Sequence, residues 1–249
     1  MNKKNTSDII YGMHAVMECM SAGRQIEKIL ISNSSKGFGD LVKLAQKQSI
    51  NLAFVPEAKI NGMTTKNHQG VVAFISPVSY GHLHHIITHV YELGENPFVL
   101  ILDEITDVRN AGAIIRSCEC AGVHAIVMPK KGSAMLNADM MKTSSGALSY
   151  VPVCKEDSLE KTIKYLKDSG LKVVACTEKA TKQLYDIPLD GPLALVVGSE
   201  EYGISEIVLK KADELAKLPM YGKVGSLNVS VAAGVAMYEA VRQRNFVKG

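Results

Sequence analysis

Between residues 98 and 220 the chain carries five short segments that are apolar almost without interruption: "FVLILDEI", "HAIVMP", "LKVVACT", "LALVVGSE" and "ELAKLPM". A strand with one wet face alternates polar and apolar side chains. A run without alternation belongs to a strand buried on both faces, as in a parallel sheet. Helical segments lie between several of these runs, notably "NAGAIIRSCECAG" and "SLEKTIKYLKDSG". Strand and helix in alternation build a parallel α/β sheet, so the fold class is α/β.

A smaller alternating unit precedes it. "YGMHAVMECMSAG" has helical spacing and stops at Gly23, "IEKILIS" reads as a strand, and "FGDLVKLAQKQS" as a helix. "NLAFVP" and "GVVAFISP" read as further strands, the last closed by Pro77. The expected organisation is a small α/β domain over residues 1–76, a linker over 77–97 with a short helix, and a larger domain over 98–249. His85 and His89 in the linker lie four apart and could share a helix face toward a metal. No Cys or carboxylate cluster completes such a site, so no metal is expected.

Of the 249 residues, 47% are hydrophobic and 21% charged, ordinary values for a globular chain. No apolar run reaches the ~18 residues of a membrane span. "MNKKNTSDIIYG" has two lysines but neither the apolar core nor the cleavage site of a signal peptide. The five cysteines form no C-x-x-C pair and read as reduced thiols, which agrees with a cytoplasmic protein. A formal charge of +3 permits an RNA partner without demanding one. Basic residues do gather at Lys130-Lys131, Lys142, Lys210-Lys211, Arg242 and Arg244.

In a parallel sheet ligands bind at the carboxyl ends of the strands, so the loops that follow them carry the chemistry. Three are unusual. In "LDEITDVRNAGAIIRSCECAG", Asp103 and Asp107 follow the strand, Asn110 stands where a helix N-cap is expected, Gly112 allows a close approach, and Arg116 follows on the helix. In "LALVVGSEEYGIS" a buried strand runs into Gly198, Glu200, Glu201 and Gly203, a loop that lets a ligand lie against backbone. In "LPMYGKVGSLNVSVAAG" a glycine-rich loop leads to Ser226 and Asn228 at a helix start, where capping accounts for only one of the two. Neither G-x-x-x-x-G-K-[ST] nor G-x-G-x-x-G occurs, which counts against a phosphate loop and against a dinucleotide-dependent oxidoreductase.

Taken in order, "D…N-x-G-x-x-x-R", "G-x-E-x-x-G" and "LPM…G…SLNVSVAAG" resemble the three motifs of the SpoU (TrmH-type) RNA ribose 2′-O-methyltransferases of the SPOUT superfamily. The resemblance covers the whole chain. "YGMHAVMECM", "NHQGVVAF" and "LDEITDVRNAGAIIRSCECAGVHAIVMPK" look most like the branch that methylates a guanosine ribose in large-subunit ribosomal RNA. Val108 departs from the family's usual proline and loses its stiffening of the loop.

The resemblance implies a C-terminal segment threaded into a trefoil knot, a topology that general rules make the last choice. It implies S-adenosylmethionine as cofactor, near Thr177, Val197, Gly198, Leu218, Met220, Ser226, Leu227 and Asn228. Around the reaction it places Asn110, Arg116, Glu200, Ser226 and Asn228. Arg116 suits a bidentate grip on phosphate, and its pKa above ~12 makes it a poor general base. Glu200 is expected to orient Arg116 or Asn110. The first domain resembles a ribosomal-protein-like RNA-binding module, and family members are homodimers with the knot near the interface. A tRNA ribose methyltransferase, or a non-enzymatic RNA-binding relative, is the alternative.

Overall fold

The structure, a computed structural model, describes residues 9–246. The segment "MNKKNTSD" lies outside the described residues. The chain divides into two compact units, the first running up to Ser79 and including Met135–Ala138, the second made of Tyr80–Ala134 and the residues from Asp139 on.

The first unit contains β1 (Ile9–Tyr11), α1 (Met13–Ser21), β2 (Ile26–Ser32), α2 (Gly39–Lys47), β3 (Asn51–Val55), α3 (Glu57–Asn61) and β4 (Val71–Ile75). The strands form one sheet in the order β1-β4-β2-β3, with β2 and β3 parallel and β4 antiparallel to both its neighbours. Ile29, Ile31, Val71 and Ala73 meet Val16 and Met20 of α1 and Leu41 and Ala45 of α2 in one core. The helix α1 stops as expected, with Gly23 at φ +70°, a conformation that costs glycine little. The short β1 and the single-turn α3 are additions to the sequence reading.

The second unit contains α4 (Leu83–Glu92), β5 (Phe98–Asp103), α5 (Val108–Cys120), β6 (Ala125–Pro129), α6 (Ala138–Thr143), β7 (Val153–Glu156) and α7 (Leu159–Asp168). It continues with β8 (Lys172–Cys176), β9 (Lys182–Gln183), β10 (Leu193–Gly198), α8 (Glu206–Lys211), β11 (Glu214–Lys217) and α9 (Val229–Phe246). Its seven strands are all parallel, in the order β7-β6-β5-β10-β8-β11-β9. Every residue of β5 is buried, as its unbroken apolar run requires.

The stretch read as a linker holds α4, and that helix is part of the second core. Leu83 and Ile87 pack with Val99, Ile101, Val127, Ile163, Val173 and Val196. Burying two such side chains is worth about 1.5–3 kcal/mol each, too much for a tether free of the domain.

Two features of this sheet position the site. The strands β5, β10, β8 and β11 are adjacent, so the loops at their carboxyl ends open on one another. The helix α9 then returns along the unit for 18 residues, roughly 27 Å at 1.5 Å per residue. Its inner face, Val229, Ala233, Ala236, Met237 and Ala240, is buried, and Cys118 of α5 donates to the Met237 sulfur at 3.6 Å. Its outer face keeps Val231, Val235 and Tyr238 at 50%, 36% and 52% exposed.

Candidate functional site

The loops after β8, β10 and β11 and the start of α9 surround a cavity of about 880 Å³, within the ~300–1,000 Å³ of small-molecule sites. Its wall comes from residues 176–179 after β8, 197–204 after β10, Leu218 and Met220 after β11, and residues 225–229 with Ala232 at the start of α9. All eight residues expected near a cofactor, Thr177, Val197, Gly198, Leu218, Met220, Ser226, Leu227 and Asn228, line it. Burial pushes the Cys176 thiol up to about 12, so it remains protonated and contributes no charge at neutral pH.

The β10 loop folds back on itself. Ser199 and Gly203 exchange backbone hydrogen bonds at 3.0 and 2.9 Å, and Gly203 sits at φ +71°. A Cβ on Gly198 would collide with the Gly203 backbone and the Ile204 amide. The glycine pattern of this loop therefore serves its own closure, and the loop so closed lines the cavity. Asp103, buried at the end of β5, fastens the same loop by accepting from the Ser205 N–H at 2.7 Å.

The Asn228 side chain joins three loops. Its Oδ1 accepts from the Ser230 and Val231 N–H groups at 3.0 and 3.4 Å, which makes it the cap of α9. Those backbone donors fix the amide orientation, so Nδ2 points away from the helix. Nδ2 donates to Asn110 Oδ1 at 3.0 Å and to Glu200 Oε1. Glu200 Oε1 also accepts from the Val229 N–H at 3.1 Å, a carboxylate at the positive end of a helix. Ser226 lines the cavity without capping anything, and its side chain is exposed.

Two expectations about these partners are corrected. Asn110 is not the N-cap of α5. Asp107 is, its Oδ1 accepting from the Arg109 and Asn110 N–H groups at 2.8 Å each. Asn110 thus lies inside the first turn, which frees its side chain for Asn228. Glu200 orients neither Arg116 nor Asn110 directly; it holds Asn228, and through it Asn110. Gly112 does permit a close approach, since a Cβ there would strike Thr143.

Arg116 is exposed, outside the cavity lining, and has no hydrogen bond or ion pair among the described residues. The geometry thus places Glu200, Ser226 and Asn228 on the cavity wall, ties Asn110 to them through Asn228, and leaves Arg116 outside the lining. Asp103 and Asp107 were visible as carboxylates after β5, but their structural roles were not assigned.

No group of three or more His, Cys, Asp or Glu among the described residues could hold a metal. His89 lies 3.8 Å from Glu92 on its own helix. No helix among the described residues is long and apolar enough to cross a membrane.

A parallel sheet with a ligand-sized cavity at its carboxyl edge and no phosphate loop defines an α/β enzyme that takes a small organic cofactor. Residues 97–238 match the SpoU rRNA Methylase family, and residues 9–81 match the RNA 2′-O ribose methyltransferase substrate binding family. YacO of Bacillus subtilis, assigned by name to the TrmH family of tRNA/rRNA methyltransferases, is 40% identical over 240 residues, 96% of each chain. A Staphylococcus aureus protein assigned to the same family is 38% identical over 241 residues, 96% of this chain and 97% of its own. The structure of the SpoU methyltransferase AviRb from Streptomyces viridochromogenes, in complex with the cofactor AdoMet, shares the fold. Its TM-score is 0.61 at 21% identity, over 95% of this chain and 90% of that one. The A. aeolicus TrmH/SpoU tRNA modifying enzyme aligns at a TM-score of 0.54 and 30% identity, over 65% of this chain and 84% of that one. The chain belongs to the SpoU family and is an S-adenosylmethionine-dependent methyltransferase of RNA ribose 2′-hydroxyls.

Proposed function

We propose that the enzyme methylates the ribose of a guanosine in large-subunit ribosomal RNA, with S-adenosylmethionine seated in the cavity at the carboxyl edge of β10, β8 and β11. The observation that carries this reading is the Asn228 joint, which ties the cavity wall to the α5 motif at Asn110. The residues fit the cofactor. The volume suits it, the glycines and apolar side chains of the wall offer backbone groups and dry surface, and nothing there is built for a triphosphate. Thr177, Val197, Gly198, Leu218, Met220, Ser226, Leu227 and Asn228 would hold it.

When bound, the cofactor supplies an electrophilic methyl group on a sulfonium. The protein's part is mainly positional, and holding two reactants in line is worth up to ~7–11 kcal/mol. Asn228 keeps Asn110 and Glu200 in register while RNA enters. Arg116, free of protein partners, grips a phosphate with its planar fork. It stays cationic, so it favours loss of the 2′-hydroxyl proton through its charge and is not the group that takes it.

The first unit would hold structured RNA for this reaction, working in the cytoplasm where ribosomal RNA is made and used. The stretch from Pro219 to Asn228 would be threaded as a trefoil knot, with Gly222, Gly225 and Ser226 leaving room for a crossing chain. A homodimer would cover the outer face of α9. A helix apolar on both faces is normally buried on both, and Val231, Val235 and Tyr238 are uncovered in one subunit.

The test is a map of ribose methylation on ribosomal and transfer RNA from cells with and without the gene. Loss of one methylguanosine from large-subunit RNA is expected. Loss from a tRNA instead would move the substrate to the other class.

A further inference from the structure

The helix α5 carries a second arginine on the face of Arg116. Arg109 and Arg116 are seven positions apart, and at 3.6 residues per turn they stack on one side of the helix, roughly 10 Å apart along its axis. Both are exposed, and only the half-buried Ala113 stands between them. Arg109 uses its backbone N–H on the Asp107 cap; its guanidinium has no partner among the described residues. A third cation flanks the pair. Gly112 abuts Thr143 at the end of α6, and the neighbouring Lys142 is exposed and also without a partner.

Carboxylates are not scarce nearby. Glu119 lies three residues beyond Arg116 and Asp139 opens α6, yet neither pairs with these cations among the described residues. Elsewhere in the unit lysines do find acids, as with Lys130–Asp157, Lys164–Asp168, Lys167–Asp213, Lys182–Glu214 and Lys211–Glu160. A group of cations left uncompensated beside Asn110 is therefore a property of this surface, and it suits an anionic polymer.

Resting on the reading of the enzyme as an RNA ribose methyltransferase, we propose that Arg109 and Lys142 hold phosphates of the RNA chain next to the phosphate gripped by Arg116. The outer face of α5 and the end of α6 then form the track along which the RNA strand enters. With their backbone positions about 10 Å apart along the helix axis, the two arginines have room to take a phosphate each. Such contacts fix register without reading bases, which leaves selection of the nucleotide to other parts of the molecule.

The experiment measures affinity of the full-length protein for a ribosomal RNA fragment across a salt series, for wild type, Arg109→Ala, Arg109→Lys and Lys142→Ala. Each lost phosphate contact should flatten the slope of log affinity against log salt by about 0.7–0.9. Arg109→Ala and Lys142→Ala should each do so, and Arg109→Lys should restore most of the slope because it keeps the charge. In methyl transfer, KM for RNA should rise several-fold more than kcat falls, with S-adenosylmethionine affinity and melting temperature unchanged. An Arg109→Ala protein with the wild-type salt slope overturns the inference. So does one whose weaker binding tracks a lower melting temperature and is not recovered by lysine. A wild-type protein that neither binds nor methylates RNA would instead overturn the underlying reading.

Discussion

The two ends of α9 are held in different ways. At its start, Asn228 reaches two side chains, the half-buried Asn110 in the first turn of α5 and the exposed Glu200 on the cavity loop after β10. At its end, Arg244 donates to backbone oxygens of Asn96, Pro97, Leu189 and Gly191 at 3.1, 3.2, 3.4 and 2.6 Å, and stacks over the Phe98 ring at 4.6 Å. Gln243 adds a bond from the Leu189 N–H and one to the Ile187 oxygen, at 2.7 and 3.1 Å. Those backbone groups precede β5 and β10. One helix thus spans the unit, its far end anchored to rigid strand entrances and its near end left to organise chemistry. Side chain to side chain bonds can shift with a ligand; bonds to fixed carbonyls cannot. The difference teaches where stability and activity should separate.

The largest expected effect on stability comes from the far end. Arg244→Ala should remove about 2–4 kcal/mol, since losing a half-buried cation bonded to carbonyls leaves several of them without that partner. In thermal melts that is roughly 5–15 °C for a chain of this size. Cofactor affinity, read by calorimetry below the melt, should change little. If affinity collapses while the fold holds, the two ends are coupled and the separation fails.

The near end should show the opposite balance. Asn228→Ala should cost only about 0.5–2 kcal/mol as a lost cap, yet lower methyl transfer tenfold or more, because Asn110 and Glu200 lose their common partner. Single-turnover methylation beside a melt reads both. A variant that melts early but transfers normally would reassign Asn228 to structure.

Gly203→Ala sharpens the account of the cavity wall. Nothing lies within 4 Å of the added Cβ, so only the φ of +71° matters. The strain should be about 1–2 kcal/mol, appearing as a melt lower by roughly 2–8 °C together with weaker cofactor binding. A rise in affinity would show that the loop is not under the conformational constraint described.

The smallest effect concerns Glu239, buried near the far end. The Arg242 hydrogen bond holds its carboxyl below the ordinary 4.5, with Gln243 adding to this. A lowered folded pKa means the stabilisation is present above the ordinary value and disappears as pH falls through the folded one. Glu239→Gln should therefore be less stable than wild type near neutrality, with the gap closing in acid below pH 4.5. A gap that persists unchanged in acid would mean packing, not charge, is what was lost.

Much of this was legible in the sequence because β5, β6, β8 and β10 are apolar without alternation, and only a buried parallel strand needs that. The cavity residues were legible because motif order carried them. The strands β1, β7 and β9 and the helices α3 and α6 were not, being two to six residues long, too short for periodicity to register. The cap of α5 was misplaced because Asp107 and Asn110 are both good cap residues and only geometry chooses between them. The Glu200 partnership and the Arg244 clamp were invisible for a simpler reason. Asn228 lies 28 residues from Glu200, and the Arg244 partners lie up to 148 residues from it. No local pattern encodes such pairs.

The central claim is that this chain transfers a methyl group to a ribose 2′-hydroxyl of RNA from the cavity that Asn228 closes. It is tested most directly by incubating purified protein with unmodified large-subunit ribosomal RNA and labelled S-adenosylmethionine, then digesting the product to nucleosides. The account predicts label in a single 2′-O-methylated nucleoside, guanosine by the present reading, and its loss in Arg116→Ala. Label on a base, or undiminished ribose methylation by Arg116→Ala, would contradict it.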